Sequence, residues 1–165
     1  MERKWPGTPL TAADIAERRV ATAEWRPEAK YAWSAGESIG RFLEELKEGH
    51  LVGRKCDTCD KVYFPPRSFC QEDFVRAGGF VRLKNTGKVE TYSISYLDTD
   101  ARRLEEPVYV GVISIDGASE GMGIMHFLGE VEEKKLIIGM RVRAVWKPKK
   151  EREGSVTDIR YFKPV

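Results

Sequence analysis

Three cysteines and one aspartate form two short turns whose spacing is suited to binding a cation. Two residues separate Cys56 from Cys59, and two residues likewise separate Cys70 from Asp73 further along the chain. A Cys-x-x-Cys turn presents two thiolates to one side, and two such turns facing each other complete the tetrahedron that zinc prefers. The spacing therefore predicts a zinc ribbon with these four residues as ligands. A pair of hydrogen-bonded turns that holds no metal is the alternative.

The predicted metal has a structural role. Carboxylate oxygen binds zinc at about 2.0 to 2.2 Å, so Asp73 is the expected fourth ligand, with Glu72 or a water molecule as the alternatives. A catalytic zinc needs an open coordination position beside a base or a substrate pocket, and the neighbouring sequence offers neither. Rubredoxin-type iron is disfavoured, because replacing a thiolate by a carboxylate favours harder coordination.

The segment between the two turns is predicted to be extended and stiff. Pro65 and Pro66 each fix their own φ and bias the preceding residue away from helix. Arg67 follows them, and with Arg54 and Lys61 it is predicted to contact a phosphate or a carboxylate of a partner. Ordinary solvated side chains are the alternative.

No residue of the chain is predicted to be catalytic. Thioester chemistry needs an activated cysteine nucleophile with a second acid or base, and all three cysteines are assigned to the ribbon. Of the two histidines, His50 adjoins the ribbon, and His126 lies in an apolar strand where a structural role is expected. A glycine-rich phosphate loop and a nucleophile elbow are both absent from the sequence.

The first fifty residues have helical patterns. Thr11 is predicted to cap a helix that runs past Val20 towards Trp25. A second helix is predicted from Gly36 or Ser38 to Gly49, with an apolar stripe that packs either on the chain itself or on a partner. The aromatic residues of this arm resemble interface anchors, with local packing as the alternative. They are Trp5, Trp25, Tyr31 and Trp33.

The remainder of the chain has the pattern of β-strands. Short β-branched and aromatic runs are divided by turn residues, and six of these runs are predicted to be strands. They cover residues 80–83, 88–96, 108–115, 123–128, 140–146 and 155–162. Strands of this number without intervening helices favour a small closed barrel, because closure removes exposed edges. The predicted class is mainly β, with a helical arm over residues 1–50, a ribbon over 51–78 and a five- to six-stranded barrel over 79–165.

Composition and charge exclude several functional classes. The formal net charge is +2 and charged residues make up 33% of the chain, which is typical of a soluble globular protein and lacks the basic excess of nucleic-acid-binding proteins. No apolar run is long enough to cross a membrane, and the first residues do not form a secretory leader. A cytoplasmic protein without membrane or nucleic-acid partners is therefore expected.

Four motifs in order resemble a known family. They are His50 to Cys59, Phe64 to Cys70, Thr86 to Ser93 and Ile138 to Val142. Together they resemble the rubredoxin-like zinc ribbon plus OB-fold proteins catalogued as domain-of-unknown-function family thirty-five, over residues from about 34 to the C-terminus. The departure is Asp73, where that family usually has a fourth cysteine.

The resemblance implies an accessory role. Members of this family accompany thiolase-superfamily enzymes that act on acyl-coenzyme A, including acetoacetyl-CoA thiolase with hydroxymethylglutaryl-CoA synthase, sterol side-chain aldolases and benzoylsuccinyl-CoA thiolase. The chain is accordingly expected to be a non-catalytic subunit that docks on a thiolase and shapes the passage for coenzyme A, with Arg54, Lys61, Arg67, Trp25 and Trp33 as candidate contacts. The alternatives are a nucleic-acid-binding protein, as for other OB-folds and zinc ribbons, and a stand-alone acyl-CoA binder.

Overall fold

The computed structural model describes residues 11–21, 28, 30 and 32–165. The chain divides into two compact units, residues 1–33 and residues 34–165. Within the described residues, the first unit contains one short helix, and the second unit contains a longer helix and all the strands.

The first unit's helix, α1, covers Ala12–Ala16. Thr11 caps it as predicted: its hydroxyl accepts the Asp14 N–H at 3.3 Å, and the Asp14 carboxylate accepts the Thr11 N–H at 2.8 Å. The predicted length is wrong, since Val20 lies beyond the helix. The helix buries no side chain, and a helix below about 12 residues gains little stability without packing. Trp25 lies outside the described residues.

The second helix, α2, covers Gly36–Glu48 and ends at Gly49, as predicted. Gly49 has a φ of 85°, a left-handed conformation that favours glycine because it has no Cβ. Phe42 and Leu46 are buried in the main core, and the Phe42 ring meets Phe64 edge to face at 5.7 Å between centroids. The apolar stripe of α2 therefore packs on the chain itself.

Three short strands form a small antiparallel sheet in the order β2-β1-β3. They are β1 (Val52–Lys55), β2 (Val62–Tyr63) and β3 (Phe80–Arg82). The sequence predicted β3 as a barrel strand, but β3 pairs with β1 and belongs to the sheet of the ribbon. The sequence did not predict β1 and β2, because strands of four and two residues are too short to show an alternating pattern.

The remaining five strands close into a barrel in the order β4-β5-β6-β8-β7. They are β4 (Thr86–Leu97), β5 (Arg103–Ile115), β6 (Gly123–Leu128), β7 (Arg141–Trp146) and β8 (Ile159–Pro164). All neighbouring pairs are antiparallel except β6 with β8. A closed five-stranded barrel of this kind is an OB-fold, so the predicted mainly β class is confirmed.

One apolar core runs through the barrel and continues beneath α2 and the ribbon. Alternate residues of each strand point inward, as the period of two in a strand requires. The buried barrel residues are Val89, Ile113, Ile115, Ile124, Leu128, Val142, Ile159 and Phe162. Because the core is shared, the barrel, α2 and the ribbon support each other.

The start of the last strand differs from the prediction. Residues Val156–Asp158 form a 3-10 turn, and β8 begins only at Ile159. The carboxylate of Asp158 is fully buried and accepts backbone N–H groups from Gly154 at 2.7 Å and Ser155 at 3.0 Å. The β-branched residues at 156 and 157 favoured a strand, but the Ser-x-x-Asp capping pattern determines the local structure.

Candidate metal centre

The side chains of Cys56, Cys59, Cys70 and Asp73 converge, with their ligand atoms all within 4.8 Å of one another. Cys59 Sγ lies 3.6 Å from Cys70 Sγ. Asp73 Oδ2 lies 3.3 Å from Cys56 Sγ and 3.2 Å from Cys70 Sγ. In a tetrahedral zinc site with ordinary bond lengths, two sulfur atoms are roughly 3.8 Å apart and a sulfur and an oxygen roughly 3.5 Å apart. Small adjustments would therefore let these four groups hold a zinc ion.

The two turns that carry these residues have matching backbones. In each turn, the N–H of the leading cysteine bonds to the carbonyl five residues later, and the residue after the fourth position is left-handed. The hydrogen bonds are Cys56 to Lys61 and Cys70 to Val75, each 2.8 Å, and the left-handed residues are Asp60 and Phe74, with φ of 59° and 55°. Asp73 thus has the same place in its turn that Cys59 has in the other.

Hydrogen bonds to sulfur orient the thiols. The backbone N–H of Thr58 points at Cys56 Sγ, and that of Asp73 points at Cys70 Sγ, both at 3.4 Å. The fully buried Tyr63 places its hydroxyl 3.1 Å from Cys70 Sγ. The sequence did not predict the role of Tyr63, because the pairing of β2 with β1 that positions it is not visible in the residue types.

The charges at the site favour a bound cation. Hydrogen bonds from the three thiols hold the pKa of the Asp73 carboxyl below its ordinary value, and the proximity of that carboxylate raises the pKa of Cys59 to about 12. Burial alone would raise the pKa of Cys70, but hydrogen bonds from Tyr63 and two backbone N–H groups lower it. Without a metal, the Asp73 carboxylate and a neighbouring thiolate would repel each other. A metal ion removes this repulsion, because its charge stabilises the thiolates and the carboxylate together.

The predicted contact residue Arg54 is buried, with a relative exposure of 4%. Its guanidinium donates to Gly78 O at 2.8 Å, to Ser38 Oγ at 2.7 Å and to Glu37 Oε1 at 3.3 Å, and it stacks over Phe80. All three of its nitrogens are therefore used within the chain. A role for Arg54 in contacting a partner does not fit this burial, because the side chain ties α2 to the ribbon.

Lys61 and Arg67 lie at the surface beside the two turns. Lys61 pairs with Glu72 at 2.6 Å, which links the first turn to the second. Arg67 donates to Gln71 at 2.5 Å and stacks over the ring of Tyr63 at 5.6 Å. Both groups keep part of their surface in solvent, and their contact with a partner or with coenzyme A remains a prediction.

Trp33 and Trp25, the two predicted aromatic contacts, belong to the first unit. Trp33 is 83% exposed. Trp25 lies outside the described residues, as do Trp5 and Tyr31. The interface role of these aromatic residues remains a prediction.

The two histidines have different environments. His126 is buried: its Nε2 lies 3.2 Å from Val156 O, and its Nδ1 accepts the N–H of Phe127 at 2.9 Å. Burial lowers the pKa of His126, so it is a neutral structural residue, as predicted. His50 Nδ1 lies 3.2 Å from the carboxylate of Glu45 and 3.1 Å from a guanidinium nitrogen of Arg82.

The fold and the cysteine cluster define a protein of the zinc-ribbon and OB-fold class. The C-terminal OB-fold domain of ChsH2 matches residues 80–147, and the rubredoxin-like zinc ribbon domain of ChsH2 matches residues 43–77. The chain is 31% identical over 132 residues to a DUF35 domain-containing scaffold protein of Methanocaldococcus jannaschii, covering 77% of this chain and 91% of the relative. It is also 31% identical over 120 residues to the scaffold protein of that name from Methanothermobacter thermautotrophicus, covering 70% and 86%. The chain belongs to the DUF35 family.

Two solved structures have the same fold. A DUF35-family protein of Sulfolobus solfataricus aligns with a TM-score of 0.61 at 25% identity, covering 79% of this chain and 87% of that one. A chain of the Ltp2-ChsH2(DUF35) aldolase aligns with a TM-score of 0.59 at 22% identity, covering 82% and 98%. Among the described residues of the present chain, no helix is both long and apolar enough to cross a membrane.

Proposed function

We propose that this chain is a non-catalytic accessory subunit of a thiolase-superfamily enzyme in the cytoplasm. It docks on that enzyme and shapes the access of acyl-coenzyme A to the enzyme's active site. The observation that carries the proposal is the convergence of all three cysteines on one cluster with Asp73. A chain whose thiols hold a structural centre has no cysteine left to attack a thioester.

The relatives support the scaffold part of the proposal. Both DUF35 proteins that share 31% identity with this chain are named scaffold proteins, and the chain covers 91% and 86% of their lengths. The alignments therefore span most of each scaffold protein. The thiolase class of the partner and the acyl-CoA substrate are inferred from the four sequence motifs that resemble this family.

We assign zinc to the cluster, with Cys56, Cys59, Cys70 and Asp73 as its ligands. Bound zinc would contribute folding free energy, because such a site exists only in the folded chain. The fold positions the ligands before a metal binds: backbone N–H groups and Tyr63 orient the sulfurs, and the pairing of β1 with β2 closes the first turn.

The surface beside the ribbon is the proposed contact for the coenzyme or the partner. Lys61 and Arg67 lie there with part of each side chain in solvent, and an arginine suits the two-point recognition of a phosphate or a carboxylate. Trp25 and Trp33 are the proposed aromatic contacts of the N-terminal arm. Arg54 has no place in this assignment, because it is buried.

Reconstitution with a thiolase tests the proposed function. The tagged chain is purified from its source organism, co-purifying polypeptides are identified by mass spectrometry, and the thiolase-superfamily subunit is then expressed with and without this chain. We expect the thiolase to need this chain for full turnover of its acyl-CoA substrate, and the chain alone to leave a β-ketoacyl thioester intact. Thioester cleavage by the purified chain, or a partner thiolase indifferent to it, would refute the proposal.

A further inference from the structure

The outer wall of the barrel has an uncharged side. In a sheet with one face in water, outward residues are expected to be polar or charged. On β4, β5 and β6 the outward positions form rows that follow the strand pairing. Three consecutive rows are uncharged: Thr91–Val112–Met125, Ser93–Val110–Phe127 and Ser95–Val108. We call these eight residues the β4–β6 face. The row before them, Lys88–Ser114–Gly123, carries a lysine and marks the edge of this face.

The β4–β6 face is exposed as well as uncharged. Met125 is 70% exposed and Phe127 is 54% exposed, although both are large apolar side chains. A shallow groove of about 170 Å³ lies between Met125 and β4, and Thr91, Ser93 and Val110 also line it. Large apolar surface of this kind on a soluble protein indicates a site that another molecule covers.

The other side of the same barrel has the charged surface that water favours. Arg141 and Arg143 point outward from β7, and Lys163 lies opposite Arg143 on β8. Lys163 also pairs with Glu130 at 2.8 Å. The two sides of the barrel therefore differ: the outward residues of β7 and β8 include charged side chains, and the β4–β6 face has none.

The hairpin between β4 and β5 extends beyond the barrel and borders this face. β5 pairs with β6 only over Tyr109–Ser114, and β4 pairs with β7 only over Thr86–Lys88, so the distal hairpin has no third strand. Isolated two-stranded hairpins are only marginally stable in water. The tip holds four acidic residues against two arginines, whereas the whole chain is net positive. The charged tip residues are Asp98, Asp100, Arg102, Arg103, Glu105 and Glu106.

From these features we infer that the β4–β6 face, with the β4–β5 hairpin, is the surface that docks the enzyme subunit. The partner surface has an apolar centre that receives Met125 and Phe127 and a basic rim that meets the acidic tip. Charge complementarity sets the orientation, because four carboxylates at one end of an uncharged face favour lysine and arginine opposite them. This inference rests on the proposed function, since it names the surface by which that function is carried out.

Site-specific cross-linking in cells of the source organism tests the surface. The photoreactive residue benzoylphenylalanine replaces Met125 in one version of the full chain and Arg143, on the charged side, in the control version. We expect a thiolase-superfamily polypeptide to be cross-linked from position 125 and not from position 143. A thiolase cross-link from position 143 alone would place docking elsewhere and leave the proposed function standing. A second copy of this chain as the only product from position 125 would make the face a self-association surface, and this would overturn the inference.

A matched pair of substitutions measures the contribution of the face to binding. Val110→Glu places a charge at its centre on an outward position, whereas Arg143→Glu changes the charged side. Circular dichroism and gel filtration of each isolated variant first test whether it folds. Against the thiolase identified by cross-linking, we expect Val110→Glu to weaken binding at least about 30-fold, because an unpaired charge would be buried, and Arg143→Glu to leave it within about threefold. If a correctly folded Val110→Glu chain binds the thiolase as tightly as the native chain does, the inferred docking surface is wrong. If the native chain has no thiolase partner at all, the proposed function is refuted.

Discussion

At position 73 the chain has a carboxylate where the matching turn has a thiolate. We predict that Asp73→Cys will hold zinc more tightly, because a fourth thiolate is a softer and more strongly bound ligand. The backbone around Asp73 already matches that around Cys59, so the new thiol needs no rearrangement. The measurement is the rate of zinc transfer to a chromogenic chelator, which is expected to fall by at least about tenfold.

The neighbouring acid supplies the control for that experiment. Glu72 lies one residue away and pairs with Lys61 at 2.6 Å, outside the cluster. Glu72→Cys adds the same thiol and is expected to leave the transfer rate nearly unchanged. If the Asp73→Cys and native chains lose zinc equally fast, Asp73 is not a ligand.

The role of a single residue could be predicted where ligand chemistry fixes the spacing along the chain. It could not be predicted where contacts between distant segments determine whether the side chain is buried. The cluster of Cys56, Cys59, Cys70 and Asp73 could be predicted because each turn is local and two residues separate its ligands. Arg54 has the same side chain as the exposed Arg67, yet it is buried. Its partners at positions 37, 38 and 78 are distant in sequence, so no local pattern reveals them.

Among the elements, α2 is joined to the ribbon by several contacts, of which the guanidinium of Arg54 makes three hydrogen bonds. We predict that Arg54→Lys will lower the free energy of unfolding by about 2 kcal/mol, because a lysine cannot reach all three acceptors and so loses charge-assisted hydrogen bonds made by a buried side chain. Ser38 and the carbonyl of Gly78 would each lose a donor. Urea unfolding of the zinc-loaded protein, followed by circular dichroism, measures the change.

Arg67→Lys is the matched control, since it makes the same exchange at an exposed arginine. Its bond to Gln71 lies in solvent, so its loss is expected to cost less than about 0.5 kcal/mol. Equal destabilisation by the two substitutions would show that Arg54 contributes no more than a surface residue.

The elements themselves were predictable to the extent that they are long and regular. The turn glycine and apolar spacing of α2 gave both ends of the helix, and β4, β6 and β7 were placed within two residues of their bounds. β5 begins at Arg103, five residues before its predicted start. β8 was misplaced because a capped 3-10 turn precedes it, and β3 was placed in the wrong sheet. Strand pairing depends on contacts between distant segments, which the pattern of a single strand does not contain.

For the whole chain, stability is expected to depend on pH through His126. Burial lowers the pKa of this histidine in the folded chain, so the unfolded chain binds the proton at higher pH. The stabilisation from the neutral ring is therefore complete above the ordinary value of 6.5 and is lost as the pH falls below it. The His126→Gln substitution removes the titrating ring. It is therefore expected to reduce the change in unfolding free energy with pH below 6.5.

Urea unfolding at about pH 7.5 and about pH 5.5, with zinc concentration held equal, measures the effect. The native chain is expected to lose more unfolding free energy between these values than the His126→Gln chain. If both proteins lose the same unfolding free energy between the two pH values, the ring is as easily protonated in the folded chain as in the unfolded one.

The ribbon and the barrel are expected to depend on the metal centre to different degrees. The barrel has a closed strand order and its own buried residues, including Val89, Ile113 and Phe162, whereas the two turns have almost no apolar core beyond the thiols and Tyr63. We predict that Cys56→Ser will release zinc, unfold the turns and abolish association with the partner, while leaving the barrel folded. Loss of association is expected although the β4–β6 face remains intact, because the proposed contacts Lys61 and Arg67 lie beside the turns and lose their positions when the turns unfold.

Amide NMR spectra separate these outcomes residue by residue. In the Cys56→Ser chain, the resonances of Val89 and Ile113 are expected to keep their dispersion, while those of residues 56–75 collapse towards random-coil positions. Thr58→Ala is the control, because it alters the same turn at an exposed side chain that is not a ligand. Retained association in the zinc-free chain would mean that the barrel docks without help from the ribbon. Collapse of the barrel resonances would mean instead that the shared core makes the metal a condition for folding the second unit as a whole.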